Sequence, residues 1–300
     1  MGDAGSQLLP HGVVAPILTP FEADGSVSHV RMVEHAHRML ANGCVGLAAF
    51  GTTGEALSVA TRERTAALEA LVEGGIDPGV LVVGTGITNL PGTVHLTRHA
   101  VDLGCRACMV LPPFYFKDPA EEGLYRHFTA IADETDLPLM IYNIPGRTAR
   151  LIEIKTLVAL SKHEGIVAVK DAVDNEEFSR NSLDALPEDF AVYSGSDSMN
   201  RTIISAGGVG AVSVASHLVG SQLKRLIDAV ISGDDKEADR IEEALAPLCE
   251  ALFVEPSPMP LKAAMGSMWG PVGDPRLPLV PAAQSTRDLL EKAMETAQLI

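Results

Sequence analysis

The feature that most constrains the fold is a strand-like segment that recurs eight times, each time followed by a stretch long enough for a helix. The eight segments are short and apolar, and they lie at Val13–Leu18, Val45–Phe50, Val80–Gly84, Ala107–Leu111, Leu139–Asn143, Ile166–Lys170, Ala191–Ser194 and Gly210–Ala215. Such alternation indicates a parallel α/β sheet with crossover helices. Eight units without a break favour closure into a (β/α)8 TIM barrel over an open sheet, and 300 residues suit that fold.

Helical patterns fill the gaps between these segments and continue beyond the last one. Six are predicted between strands, at Ser28–Leu40, Thr61–Val72, Asn89–Leu103, Glu121–Glu134, Glu153–Lys162 and Glu177–Leu186. Four more follow, at Ser221–Ile231, Asp235–Leu252, Leu261–Met268 and Ala283–Thr296. One helix is enough to complete a barrel. The sequence therefore predicts a barrel with the active site in residues 1–220 and a C-terminal helical extension, residues 221–300, packed on it.

Charge and composition argue against several classes of partner. The formal net charge is −16, whereas nucleic acids and anionic membranes are bound by basic patches. No apolar run approaches the roughly 20 residues of a membrane span, and the first ten residues lack the pattern of a secretory signal. We therefore expect a cytoplasmic protein that acts on small molecules and binds neither nucleic acid nor membrane.

The cysteines and histidines do not form a recognisable metal-binding pattern. Cys105 and Cys108 have CxxC spacing but lack a second pair, and a structural metal site needs four ligands. The nine histidines show no ligand spacing, and His35 and His37 point to different faces of a helix. We predict packed, reduced thiols, no metal and no cofactor.

Lys170 ends one of the buried strands. Side chains alternate along a strand, so Lys170 shares a face with Ala168 and Ile166. Removing an amine from water favours its neutral, nucleophilic form, which Schiff-base formation on a carbonyl substrate requires. Strands also commonly end in a lysine that reaches solvent, so this residue alone does not decide the function.

In a barrel of this kind the active site lies at the carboxyl ends of the strands, and the unusual residues of this chain cluster there. The second strand ends in Gly51-Thr-Thr-Gly-Glu55, whose threonines can present hydroxyl and N–H groups to a small anion. An ordinary strand-to-helix turn would also explain it. Glycines follow the seventh strand and precede the eighth, which leaves a phosphate-ester substrate as an alternative.

Two further strands end in aromatic residues. Tyr142 faces inward at the end of the fifth strand, where its phenol needs a hydrogen-bond partner such as Thr52. Arg147 follows in a Pro-Gly turn and could bind a substrate carboxylate, or it could be a solvated surface arginine. Tyr115 lies in an aromatic loop after the fourth strand, which lines a pocket or belongs to the core.

Three motifs occur in a characteristic order and spacing: Gly51-Thr-Thr-Gly-Glu55, Tyr142-Asn-Ile-Pro-Gly-Arg-Thr148 and Val169-Lys170-Asp171. Together they closely resemble the dihydrodipicolinate synthase / N-acetylneuraminate lyase family. The likeness runs from about Val13 to the end of the chain. The resemblance implies a (β/α)8-barrel class I aldolase that forms a Schiff base between a lysine and pyruvate.

The resemblance also implies roles for individual residues. It assigns catalytic roles to Lys170, Tyr142, Thr52 and Tyr115, and substrate-binding roles to Thr53, Arg147 and Val212. Lys170 would form the Schiff base, and Tyr142 would pass protons with Thr52 and Tyr115. The family's counterpart of Tyr115 reaches into the neighbouring subunit, which implies a homo-oligomer, a dimer or a tetramer. Thr53 would hold the pyruvate carboxylate.

The second substrate is less closely defined. An arginine at the position of Arg147 is typical of the synthases, where it takes the carboxylate of aspartate semialdehyde; the lyases have an apolar residue there. This favours a dihydrodipicolinate synthase. Phe116 and the segment Gly195-Ser196-Asp197 depart from the synthase pattern. An aldolase or dehydratase of 2-keto-3-deoxy sugar acids is therefore an alternative, and a non-catalytic barrel that binds a keto acid is a third.

Overall fold

Eight short parallel strands follow one another in sequence order and close into a barrel. The structure, a computed structural model, describes residues 9–298. The strands are β1 (Gly12–Ala15), β2 (Gly46–Ala49), β3 (Leu81–Gly84), β4 (Ala107–Val110), β5 (Leu139–Asn143), β6 (Ile166–Asp171), β7 (Ala191–Ser194) and β8 (Gly210–Val212). All eight predicted strands are present, and the predicted (β/α)8 barrel is confirmed.

The helices alternate with the strands and then continue after β8. They are α1 (His29–Ala41), α2 (Thr61–Glu73), α3 (Leu90–Asp102), α4 (Glu121–Glu134), α5 (Pro145–Thr148), α6 (Ile154–Leu160), α7 (Glu176–Ala185), α8 (Asn200–Ser205), α9 (Ser216–Ser232), α10 (Asp235–Ala251), α11 (Met259–Met268) and α12 (Gln284–Gln298). The short helices α5 and α8 were not predicted. Helix α9 begins five residues earlier than expected and contains a non-helical residue, Val219.

Several helices begin at a side chain that caps their first turn. Asn89 accepts a hydrogen bond from the Gly92 N–H at 2.8 Å before α3, and Asn175 accepts one from the Phe178 N–H at 2.9 Å before α7. Such a cap satisfies an otherwise unpaired backbone donor and contributes about 1 kcal/mol. The helix starts predicted at Asn89 and at Glu177 thus have a local cause.

The chain divides into two compact units, of which the first comprises residues 9–11 and 78–212. It contains β3 to β8 and α3 to α8. The parallel register of β5, β6 and β7 places Lys170 between Tyr142 and Tyr193 on the neighbouring strands. Tyr193 is fully buried, and its phenol donates to the Pro10 carbonyl at 2.9 Å. The segment before β1 is therefore attached to β7.

The second unit comprises residues 12–77 and 213–298. It contains the parallel pair β1 and β2, the helices α1 and α2, and the C-terminal helices α9 to α12. Helix α10 packs against α9 and α12, and α9 packs on β1. Phe21, Met32 and Met39 are fully buried in its core. The predicted boundary at residue 220 between a barrel and a helical extension remains a prediction.

Over residues 9–298, none of the helices has both the length and the apolar character that crossing a membrane requires.

Candidate active site

The structure brings Lys170 and Tyr142 together at the end of neighbouring strands. The Lys170 side chain is buried, with 5% of the residue exposed, and its Nζ lies 4.1 Å from the centroid of the Tyr142 ring. Tyr142 is 4% exposed and stands opposite Lys170 in the register of β5 and β6. The structure thus holds an amine and a phenol side by side, largely shielded from bulk water.

Space for the Lys170 side chain depends on Gly195, the first residue after β7. A Cβ atom at this position would lie 2.9 Å from Lys170 Cε and 2.9 Å from the Asp171 carbonyl oxygen. The Gly195 N–H also donates to that carbonyl at 2.6 Å, which fixes the close approach of the two chain segments. Only a residue without a side chain fits here while Lys170 keeps its position.

Asp171, next to the lysine, fixes the end of β6. Its carboxylate accepts hydrogen bonds from the Val173 N–H at 3.0 Å and from the Ser179 hydroxyl of α7 at 2.7 Å. Burial raises the pKa of this carboxyl, although both hydrogen bonds oppose the shift. Because side chains alternate along a strand, Asp171 holds the strand end from the face opposite to Lys170.

Arg147 lies in a loop that a buried asparagine closes. The loop carries the short helix α5, and Arg147 is exposed on it. Asn143 is fully buried; its amide donates to the Ile152 carbonyl and its Oδ1 accepts from the Ile152 N–H, both at 3.1 Å. The Thr148 hydroxyl donates to the Ile144 carbonyl at 3.0 Å inside the same loop. The guanidinium is therefore presented by a backbone with a defined shape.

Tyr115 lies in the loop after β4 and is 98% exposed. Its backbone has a φ of 76°, in the left-handed region that non-glycine residues seldom adopt, and such conformations concentrate at functional sites. Arg150 holds the far side of this loop through ion pairs with Asp118, at 3.3 Å, and with Glu121. The Tyr115 phenol therefore points outward from a loop that ion pairs with Arg150 hold in place.

The remaining predicted residues occupy two places. Val212 is the last residue of β8 and is buried in the same unit as Lys170. Thr52 and Thr53 belong to the second unit, in the turn that follows β2. Thr53 is buried and Thr52 half-buried, and the Thr52 carbonyl accepts from the Glu55 N–H at 3.0 Å. The two threonines therefore stand on a tight turn.

The cysteines and histidines have structural environments. All four thiols are free, and burial raises the pKa of Cys105 and of Cys108 to about 12, so that thiolate is scarce at neutral pH. His35 is buried and His37 exposed, as predicted for two faces of one helix. Within residues 9–298, no three His, Cys, Asp or Glu side chains are placed to hold a metal ion.

Comparison with known proteins decides the family. The sequence model of the dihydrodipicolinate synthetase family matches residues 9–297. The chain belongs to this family. The resemblance inferred from the three motifs is therefore confirmed, and the chain is a lyase-type enzyme of the dihydrodipicolinate synthase family.

Relatives and solved structures of dihydrodipicolinate synthases match almost the whole chain. The 4-hydroxy-tetrahydrodipicolinate synthase of Synechococcus elongatus is 39% identical over 290 residues, covering 96% of this chain and 97% of that protein. The 4-hydroxy-tetrahydrodipicolinate synthase 1 of Halalkalibacterium halodurans is 36% identical, covering 94% and 95%. A dihydrodipicolinate synthase structure from Bacillus anthracis has a TM-score of 0.91 at 35% identity, covering 95% and 97%. One from Cyanidioschyzon merolae, with lysine bound, has 0.92 at 34%, covering 97% and 99%.

Sequence reasoning missed three residues that support individual candidate side chains of this dihydrodipicolinate synthase-family chain. Gly195 makes room for Lys170, Asn143 closes the loop of Arg147, and Glu55 is buried beneath the turn of Thr52 and Thr53. Glu55 belongs to a motif that the sequence analysis identified. Its partners could not be identified from the sequence, because they lie far away along the chain.

Proposed function

We propose that this enzyme is a 4-hydroxy-tetrahydrodipicolinate synthase, which condenses pyruvate with L-aspartate semialdehyde. The observation that carries the proposal is the buried Lys170 amine, 4.1 Å from the centroid of the Tyr142 ring at the carboxyl end of β6. In a barrel enzyme this end of the strands holds the active site. Relatives that bear the synthase name and match nearly the whole chain support the same reaction.

The proposed reaction begins at Lys170. Its neutral amine attacks the ketone of pyruvate, and loss of water from the carbinolamine gives an iminium ion. The iminium draws electrons from the neighbouring methyl group, which loses a proton to give an enamine. The enamine carbon attacks the aldehyde of the second substrate, and a new carbon–carbon bond forms. The amino group of aspartate semialdehyde then attacks the iminium carbon, which closes the ring and displaces the Lys170 amine.

Proton transfers accompany each of these steps. We assign them to the Tyr142 phenol together with Thr52 and Tyr115, as the family resemblance implies. The contact between Lys170 and the Tyr142 ring supports this assignment, because it keeps a phenol near the reacting nitrogen. Thr53 would hold the pyruvate carboxylate, and Val212 would line the pocket.

Arg147 is proposed to bind the carboxylate of aspartate semialdehyde. The chain has a net charge of −16, so an anionic substrate depends on local cations. Arg147 supplies one on an exposed loop whose shape Asn143 fixes. A guanidinium can hold a carboxylate through two parallel hydrogen bonds, which also orients it.

We further propose a cytoplasmic homo-oligomer, a dimer or a tetramer. Four free thiols are typical of a reducing compartment. The outward position of Tyr115 supports oligomerisation, because a phenol that is 98% exposed is available to a second copy of the chain. The size of the assembly in solution tests this directly, and a catalytically active monomer would contradict it.

Borohydride reduction in the presence of pyruvate tests the chemistry. It should trap pyruvate on the peptide that contains Lys170, and Lys170→Ala should abolish trapping. The matched control is Lys162→Ala, which removes an exposed lysine of the same unit and should leave trapping intact. Trapping on another lysine, or equal trapping in Lys170→Ala, would refute the assignment.

Steady-state assays identify the second substrate. We expect turnover with L-aspartate semialdehyde and pyruvate, and at most weak cleavage or dehydration of 2-keto-3-deoxygluconate. The reverse preference would assign the chain to the sugar-acid branch of the same chemistry. Substitution of Arg147 by Ala should raise KM for aspartate semialdehyde while the yield of trapped pyruvate stays the same.

A further inference from the structure

A buried carboxylate lies under the turn that carries Thr52 and Thr53. The Glu55 side chain is fully buried, and its backbone φ is 51°, in the left-handed region that favours glycine. The turn is tight: Gly54 approaches the Ile17 carbonyl so closely that a Cβ would lie 3.0 Å from it, and the Gly54 carbonyl accepts the Thr19 hydroxyl at 2.7 Å. A non-glycine residue in this conformation persists where its surroundings hold it.

The charge of Glu55 is balanced by a lysine from the C-terminal part of the chain. Lys262, on α11, places its Nζ 2.6 Å from Glu55 Oε1, and 3% of its side chain is exposed. The contact is an ion pair rather than an aligned hydrogen bond. Burial lowers the pKa of Lys262, and the charge of Glu55 opposes that shift. The neighbouring carboxylate therefore favours the charged form of the buried lysine.

A second group of contacts fixes the other oxygen of Glu55. Glu55 Oε2 accepts the Arg276 N–H at 2.9 Å, and the Arg276 guanidinium binds both carboxylate oxygens of Glu63, at 2.6 and 2.8 Å. Two cations lie over the Phe21 ring, with Lys262 Nζ 4.2 Å and Arg276 Cζ 4.4 Å from its centroid. The carboxylate is thus held in one orientation by α11 and by the segment after it.

Such an arrangement is not explained by stability alone. Replacing a buried ion pair with apolar residues of similar size is often neutral or stabilising, because desolvation offsets the attraction. What the ion pair supplies is geometry: it fixes the position of the residue that ends the turn. The Glu55 N–H donates to the Thr52 carbonyl at 3.0 Å, so a shift of Glu55 passes directly to the threonines.

We propose that Glu55 and Lys262 are a pair of positioning residues that hold the Thr52–Thr53 turn in the shape that receives the carboxylate of the keto-acid substrate. This inference rests on the proposed function, because it takes Thr53 as the residue that binds pyruvate. Neither residue touches the reacting atoms. Their loss therefore weakens pyruvate binding and leaves the Schiff-base chemistry of Lys170 in place.

The test compares Glu55→Gln, Lys262→Met and the double variant with the unaltered enzyme. Each single variant should raise KM for pyruvate, and the half-saturating pyruvate concentration for borohydride trapping, about tenfold or more, because small displacements of binding groups have large effects. At saturating pyruvate, the trapped yield and kcat should stay within a few-fold of the unaltered enzyme. The double variant should regain thermal stability relative to each single variant but keep the raised KM.

A destabilised control separates positioning from stability. Leu245 is buried in α10 of the same unit, and Leu245→Ala should lower the melting temperature while KM for pyruvate stays unchanged. The proposal is overturned if Glu55→Gln and Lys262→Met lower thermal stability without raising KM, or if the double variant restores KM together with stability. Should Glu55→Gln fail to fold, Lys262→Met and the double variant decide by the same two readings.

Failure of the proposed function would look different. If the unaltered enzyme traps no pyruvate, the reaction assigned to Lys170 is wrong, and the positioning role that rests on it is overturned as well. If the unaltered enzyme traps pyruvate with normal saturation and the variants match it, only the positioning role is wrong.

Discussion

The position of the Lys170 amine depends on Gly195, which has no Cβ atom. Gly195 leaves the space in which Lys170 Cε lies, at 2.9 Å from where a Cβ would stand. The Tyr142 ring covers the Nζ from the adjacent strand, 4.1 Å away. A side chain packed this closely has little freedom to adjust, so the position of Lys170 is sensitive to small changes in the residues around it.

Gly195→Ala is expected to slow turnover about tenfold or more, because the new methyl group displaces Lys170 or the end of β6. The rate of borohydride trapping with pyruvate measures the effect at the reacting amine. Gly123→Ala is the matched control: a Cβ there meets no atom within 4 Å, and the residue lies in α4 of the same unit. Equal loss of rate in both variants would show that crowding at Lys170 is not the cause.

Tyr142→Phe is expected to lower kcat about 100-fold, the lower end of what a positioned acid or base contributes, while the fold is retained. The ring that packs on Lys170 remains, and only the phenolic hydroxyl is lost. Steady-state kinetics and far-ultraviolet circular dichroism measure the two effects. Tyr125→Phe removes a phenol from α4 that is 37% exposed, and its kcat should stay within twofold. An active Tyr142→Phe enzyme would rule out the proton-transfer role.

Of the residue-scale features, those with a local signal could be predicted. Lys170 stands out because a charged residue ends an apolar run, and Tyr142 because its strand alternation places it inward. Gly195 could not be interpreted in the same way. Its effect arises from an approach to Lys170 across neighbouring strands, which no spacing within the sequence reports.

One buried side chain determines the shape of the loop between β5 and α6. Asn143 exchanges two hydrogen bonds with the backbone of Ile152 and so joins the two ends of the loop. Arg147 stands between them on α5. An exposed arginine on a free loop would lose conformational entropy on binding an anion, whereas a closed loop has already lost part of it.

Asn143→Ala is expected to raise KM for aspartate semialdehyde several-fold, because the loop of Arg147 loosens, while half-saturation of pyruvate trapping stays unchanged. The matched control is Asn89→Ala, which removes the cap of α3 and should cost about 1 kcal/mol of stability. Both KM values should be normal in that control. A rise in KM for pyruvate in Asn143→Ala would show that the whole site, not the loop, has been disturbed.

At the level of elements, the strands could be predicted and two helices could not. The strands are apolar runs bounded by turn residues, and each was found within a few residues of its expected place. Helices α5 and α8 have four and six residues, too few to show a 3.6-residue period. In α5 the sequence Pro145-Gly146 also indicates a turn rather than a helix.

At the scale of the whole molecule, the buried pair His35 and His217 bears on how stability depends on pH. The rings of His35 and His217 stack with centroids 5.1 Å apart, and both residues are buried. His35 Nε2 accepts the Leu18 N–H at 3.4 Å, and the Val214 carbonyl lies 2.9 Å from His217 Nδ1. Burial lowers the pKa of His35 well below its usual value and that of His217 to about 4. The folded protein thus keeps both rings neutral.

Acidification from about pH 7 to pH 5 is expected to lower the free energy of unfolding. Below about pH 6.5, the ordinary pKa of histidine, these side chains bind protons in the unfolded chain but stay neutral in the folded one. The contribution of the histidine pair to stability is therefore complete above about pH 6.5 and is lost as the pH falls towards 4. His217 alone accounts for roughly 3 kcal/mol of this contribution over that range. Glu63 does not account for this loss between pH 7 and pH 5. Hydrogen bonds from Arg276 lower its pKa to about 2, so its contribution to stability is lost only below about pH 4.5.

Urea unfolding at the two pH values measures this dependence. His217→Asn keeps a donor towards the Val214 carbonyl but cannot titrate, so its stability should fall less steeply on acidification. The exposed His95 provides the control, and His95→Gln should match the unaltered protein. If His217→Asn shows the full pH dependence, the buried pair is not its source.

Glu55 and Arg276 are 221 residues apart in the chain, yet a hydrogen bond joins them. During synthesis on the ribosome, the turn after β2 leaves the exit tunnel long before α11 and the segment that follows it exist. Until then its carboxylate has neither Lys262 nor the Arg276 N–H as a partner. Since loop closure over such a distance comes late in folding, we expect the Thr52–Thr53 turn to be among the last parts of the nascent enzyme to mature.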